Sequence, residues 1–175
     1  TRKITGLIPN AKYRGSFTVA FASDAPAGCA GVGGSPGESV WLIGAVSGTK
    51  PENRQTNEDF RLNISRGNQS TAGDSSDVIG TIGVSGIPCT GNNRQAAFKT
   101  VGPSKWIPFT TDDTGSAWIL IGLDSGFESY SRIWLQSVKF TYQPSVFNVG
   151  MVIPFALCIA IAASSIAATP RDTSK

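Results

Sequence analysis

Between Ser16 and Gln143 the chain is a succession of short apolar segments cut by turn residues, and this punctuation points to an all-β fold. Apolar and polar residues alternate in SFTVAFAS (16–23), where Phe17, Val19 and Phe21 share one face. They alternate again in EDFRLNIS (58–65), with Phe60, Leu62 and Ile64 on one side. A period of two marks a half-buried strand. ESVWLIGAVS (38–47) and AWILIGLDS (117–125) are more continuously apolar, as in strands covered in part on both faces. SDVIGTIGV (76–84), broken by Gly80, QAAFKTV (95–101), WIPFTTD (106–112) and RIWLQSVKFTYQ (132–143) complete the expected strands. In the last of these, strict alternation puts Trp134, Gln136, Val138, Phe140 and Tyr142 on one face. Asp112–Gly115 reads as a hairpin turn between its flanking strands. Helix-forming runs of Glu, Lys and Leu are missing, while Gly (20), Ser and Thr are frequent. The pattern predicts a jelly-roll-like antiparallel β-sandwich.

One segment departs from this punctuation. Val149–Ala168 is an uncharged apolar run, followed at once by a tail holding Arg171 and Lys175. About 20 apolar residues suffice to cross a hydrocarbon core as a helix. The expected organisation is therefore a β-sandwich domain at 1–144, a transmembrane helix within 145–169 and a short basic tail at 170–175. Pro154 would kink that helix without forbidding it. The positive-inside tendency puts the tail in the cytoplasm and the domain on the extracellular face of a membrane. Three alternatives stand beside this one: a cleaved lipid-anchor signal, an apolar segment that completes a neighbouring subunit, and an end the folded domain never uses. The first is opposed by the charged residues after the run. The chain opens at Thr1 rather than Met, which predicts removal of an upstream segment.

The cysteines and sequons fit the same compartment. Cys158 lies inside the apolar run, which leaves Cys29 and Cys89 as the pair in the remaining sequence, each in a Gly/Pro-rich loop. A chain of secreted character is expected to join them as a disulfide. Asn63-Ile64-Ser65 and Asn68-Gln69-Ser70 are N-glycosylation sequons, and alternation puts Asn63 on the wet face of its strand. The 15 Lys and Arg against 12 acids give a mild +3, too weak and scattered to predict nucleic acid as a partner.

Several chemistries fall away. The chain has no histidine. Ser-His-Asp triads, Cys-His pairs and His-ligated zinc cannot be built from it. Gly33-Gly34-Ser35-Pro36-Gly37 matches G-x-S-x-G by letter, but it lacks a base. Proline after the serine also withholds the N–H that an oxyanion hole takes from that position. Carboxylates remain. Asp112 or Asp113 with Asp124 or Glu128 could serve a glycoside hydrolase if a cleft set them roughly 5–10 Å apart. Their simpler reading is as turn residues bonding their own backbone. A weak calcium site from Asp112, Asp113 and Asp124 is a further reading, and no other cofactor is implied. Of the four tryptophans, Trp41, Trp118 and Trp134 lie in apolar strands and are expected in the core. Trp106 and the loop residue Tyr130 are the better exposed candidates for ligand contact, with Asp124 and Glu128 beside them.

KITGLIPNAKYRGSFTVAFASDAPAGCAGVGGSPGESVWLIGA resembles the front of an uncharacterised family of bacterial secreted proteins and lipoproteins. RLNISRGNQS, FTTDDTGSAWILIGLDSGFE and RIWLQSVKFTY resemble further blocks of that family, in order, over residues 3–142. The resemblance implies a secreted β-sandwich whose two loop cysteines map to Cys29 and Cys89. It implies no activity. Such domains usually carry more sequence before the position of Thr1, so an N-terminal strand is expected to be missing here, and they usually end near the last strand.

Three function classes follow. The leading one is a non-enzymatic, membrane-anchored extracellular module that binds a glycan or a protein partner through its loop ends. The second is a structural subunit of a surface filament or envelope, a homo-oligomer assembled through sheet edges and the apolar tail. The third is the hydrolase just described.

Overall fold

The computed structural model describes residues 1–56, 59–91, 95–145 and 160–162, and every regular element among them is a strand. These are β1 (Arg2–Ile4), β2 (Lys12–Ser23), β3 (Val40–Ser47), β4 (Asn53–Thr56), β5 (Asp59–Leu62) and β6 (Ser76–Thr81). They continue with β7 (Ala97–Val101), β8 (Ile107–Thr110), β9 (Ala117–Ser125), β10 (Trp134–Pro144) and β11 (Ala160–Ala162). The eight segments expected from alternation and continuous apolar runs all contain strands. β1 and β4 were not signalled, because three and four mostly polar residues carry no readable period.

Two antiparallel sheets face one another. Sheet A has the order β1-β9-β3-β6. Sheet B is built on β2, with β10 along one edge and β7 and β8 sharing the other. β7 pairs with Val19–Ser23 and β8 with Lys12–Gly15. Ser104 fills the break between them. Its N–H donates to Phe17 O at 2.9 Å, and its Oγ accepts from Phe17 N at 3.1 Å. The Ser16 hydroxyl donates to Ser104 O at 2.8 Å, so no buried polar group of the break is left open. β4 and β5 form a separate hairpin.

The core lies between the sheets. Phe17, Val19 and Phe21 of β2 meet Val40, Leu42 and Val46 of β3, with Ile79, Ile119, Phe109 and Phe140 around them. Each such side chain contributes about 1.5–3 kcal/mol on leaving water. Glycines set the approach of the sheets. A Cβ on Gly44 of sheet A would stand 2.7 Å from the Phe17 ring of sheet B, and within sheet B one on Gly15 would overlap the Phe140 ring.

Two expectations are corrected. Asp112–Gly115 is not a hairpin turn, because β8 pairs with β2 while the next strand, β9, belongs to sheet A. It is a turn between sheets, closed by Gly115 N–H donating to Asp112 O at 3.1 Å. The three strand tryptophans are not core residues. Trp41 and Trp118 sit half-buried on the outer face of sheet A, and Trp134 is exposed on the outer face of sheet B. For Trp134 the cause is a bulge between Leu135 and Ser137. The extra residue reverses the alternation, so Trp134 pairs with outward-facing Ala22 while Val138 and Phe140 keep to the core side.

No helix long and apolar enough to cross a membrane is present among the described residues. Of the expected transmembrane segment at 145–169, only residue 145 and residues 160–162 are described, the latter as β11 pairing with Ser137–Lys139 of β10. The rest, and the basic tail at 170–175, lie outside the described residues.

Candidate functional site

One end of the sandwich gathers three loop segments: 24–39 after β2, 82–91 after β6 and 126–133 after β9. Cys29 and Cys89 are disulfide-bonded, with Cα atoms 5.6 Å apart and a sequence separation of 60. The loops are also joined by backbone. Ala27 N–H donates to Val84 O at 3.0 Å, Gly126 N–H to Ser39 O at 2.8 Å, and Glu128 N–H to Val32 O at 2.9 Å. The G-x-S-x-G segment is part of this lacing. The Ser35 hydroxyl donates to Glu38, and Gly28 N–H donates to Glu38 Oε1 at 2.8 Å. These bonds, the serine's foremost, hold the Glu38 carboxyl below its ordinary pKa. Ser35 is thus a loop-fixing residue.

On this frame sits an aromatic and cationic cluster. Arg132 donates from Nη2 and Nε to Asp24 Oδ2 at 2.7 and 3.2 Å. That pairing raises the Arg132 pKa further, so the guanidinium is permanently charged. Its Cζ lies 4.7 Å from the Trp134 ring centroid and 5.9 Å from that of Tyr130. Both are cation–π distances. Tyr130 is 80 % exposed and Trp134 47 %. β2 runs between β10 and β7, so Trp134, Ala22 and Phe98 form one row across sheet B, with Phe98 76 % exposed. A cleft of about 370 Å³ opens beside them, lined by Asp24, Pro36, Phe127, Tyr130, Ser131 and Arg132 among others. The Ser131 hydroxyl is buried with no hydrogen-bond partner among the described residues. The arrangement offers flat aromatic faces, a fixed guanidinium and a carboxylate beside one cleft.

The residues singled out from sequence divide. Tyr130 belongs to this cluster. Glu128 is exposed on the same loop. Trp106, 43 % exposed, lies at the far part of sheet B, where Arg14 stands 5.2 Å over its ring. Asp124 is held elsewhere: it pairs with Arg66 and accepts from Gln69 N at 2.8 Å. Asp112 Oδ1 accepts from Thr114 Oγ1 at 2.7 Å, Ser116 N at 2.8 Å and Thr114 N at 2.9 Å, the Thr114 side chain chiefly lowering its pKa. β9 separates the two acids: from Ala117 to Asp124 is about 23 Å of strand. Asp112 and Asp113 therefore do not meet Asp124, either as a calcium cage or as a hydrolytic pair. Among the described residues no three Cys, Asp or Glu side chains converge as metal ligands do.

The sequons fall outside the cluster. Asn63 follows β5, with Oδ1 accepting from Glu52 N and Nδ2 donating to Lys50 O, both at 2.9 Å. Asn68 is exposed in a tight turn closed on Thr71. Sequence reading missed Arg132, Asp24, Trp134 and Phe98. Phe98 was within reach: it sits three residues before buried Val101, and an odd spacing in a strand means opposite faces.

A scan against protein-family models, a search of curated proteins and a search of solved structures each find no significant match.

Proposed function

We propose that this chain is a non-enzymatic extracellular module, a jelly-roll-like sandwich anchored to a membrane through residues 149–168, that binds a glycan at its disulfide-linked loop end. The observation that carries this is the exposed group Tyr130, Trp134 and Phe98 around the Asp24–Arg132 pair. Aromatic faces stack on the apolar faces of sugar rings, while a planar guanidinium and a carboxylate exchange hydrogen bonds with hydroxyls. A cluster of this kind left in water on a stable domain marks an interaction site. A protein partner could use the same anchors.

The test is a glycan array probed with the full chain. Tyr130→Ala and Trp134→Ala should each remove the signal, and Trp41→Ala on the opposite sheet should not. Retention of signal in both cluster variants would sink the assignment of the site. Anchoring is tested by alkaline carbonate extraction, where release without detergent argues against a span.

A second reading is a structural subunit. What supports it is the pairing of β11, part of the apolar run, with the edge of β10. Polymers that vanish on deletion of residues 146–175 would favour it.

A further inference from the structure

The strands of sheet B contain no carboxylate. β2 holds Lys12 and Arg14, β7 Lys99 and β10 Lys139. Tyr13, Phe17 and Val19 face the core, so Lys12, Arg14, Thr18 and Ala20 face outward. Lys139 pairs with Thr18 and shares that outer face. Lys99 turns away to donate to Gly83 O at 2.6 Å. Each part of this face ends in the same device, an exposed tryptophan beside a guanidinium: Trp134 with Arg132 and Trp106 with Arg14. Trp106 adjoins Ile107, the partner of Gly15, while Trp134 pairs with Ala22. From Ser16 to Ala22 is about 20 Å along the strand. Between the two posts the outward positions other than Lys139 are small or hydroxyl-bearing: Thr18, Ala20, Thr100, Ser137 and Thr141.

We infer that the outer face of sheet B binds a linear acidic polysaccharide, laid along β2 from Trp134 to Trp106. This rests on the glycan reading above and adds a length and a charge to it. The tryptophans stack on sugar rings at the two ends. Lys139, Arg14 and Lys12 meet the carboxylates of the chain, in a stretch of sheet with no acid to repel them. The small side chains between let an extended chain lie flat. Single-stranded nucleic acid uses the same aromatic and cationic chemistry. The Cys29–Cys89 disulfide belongs to oxidising surroundings and favours the polysaccharide.

The experiment is calorimetric titration of the full chain, in detergent, with oligogalacturonate and alginate oligomers, each as dimer and hexamer. Cellohexaose and a short single-stranded DNA serve as the contrasting probes. The acidic hexamers should bind at least about tenfold more tightly than their dimers or cellohexaose, a step of one decade in Kd. Added salt should weaken them. Trp106→Ala should bring hexamer affinity down to that of the dimer, and Lys139→Gln should erase the preference for acid, each with an unchanged Tm. Equal binding of cellohexaose overturns the charge assignment and leaves the glycan site standing. Equal binding of dimer and hexamer, with Trp106→Ala inert, overturns the extended path and leaves the loop-end cleft. Binding of no sugar overturns both readings, and DNA binding tighter than any sugar overturns the ligand class.

Discussion

The two sheets treat their outer faces differently. On sheet A, Lys50 and the loop at 63–69 form a partial roof over the two ends of β9. Lys50 stands 6.0 Å from the Trp118 ring centroid at one end, and Arg66 and Gln69 hold Asp124 at the other. On the same face, outward-facing Ile43 of β3 is only 3 % exposed. On sheet B the corresponding face has no such cover among the described residues. Its aromatics, Trp134, Phe98 and Trp106, stand in water beside arginines or small residues. Both faces carry large apolar groups. Sheet A buries Ile43 on that side, and sheet B leaves its aromatics in water. That contrast, more than any single residue, supports the proposal that sheet B is the working face.

The contrast can be broken in four ways, from the largest effect down. Cys89→Ser frees the loop end that borders the bare face. It should cost about 4 kcal/mol for a closed loop of this length in the chain-entropy account. Urea unfolding measures it, and a loss below about 1 kcal/mol would mean that backbone lacing alone holds the loops. Ile43→Ala on the outer face of sheet A should cost about 2–4 kcal/mol, whereas Phe98→Ala on the bare face should cost under about 1 kcal/mol. Similar losses at the two positions would erase the distinction between the faces. Arg66→Ala releases the roof from Asp124. With Arg66 partly in solvent, the expected loss is about 1 kcal/mol, and hydrogen exchange should quicken across residues 65–75.

The smallest effect concerns pH. The folded Asp112 carboxyl has a depressed pKa. Its contribution to stability is therefore complete above the ordinary carboxylate value and is lost as pH falls through the lower folded value. The stability difference between the wild type and Asp112→Asn should shrink from about pH 6 to about pH 3. A constant difference would show that the turn does not depend on the charge.

The strands were legible because alternation and apolar runs are local. SFTVAFAS falls inside β2 with Phe17, Val19 and Phe21 buried, as its period requires. The Cys29–Cys89 pairing was legible because Cys158 lies in a run of different character. Two kinds of information were not local. The bulge at Leu135/Ser137 inserts one residue into a strand whose sequence still alternates, so nothing in RIWLQSVKFTYQ announces that Trp134 has changed faces. Likewise the sequence of DDTG suits a hairpin, and only the pairing of β8 with β2 makes it a crossing between sheets. The proposed binding cluster depended on both: Arg132 and Trp134 lie just before that bulge, and Phe98 joins them only through Ala22 of an intervening strand.

Among the described residues β2 is the longest strand, at 12 residues, and each of its ladder partners there, β7, β8 and β10, lies beyond residue 96. During synthesis it therefore leaves the ribosome long before anything can pair with it. Until Ala97 emerges, both edges of an apolar strand stand open, with Phe17, Val19 and Phe21 unsheltered by neighbouring strands of their own sheet. The interval is one in which a holdase chaperone, or a second nascent copy, can reach that strand first.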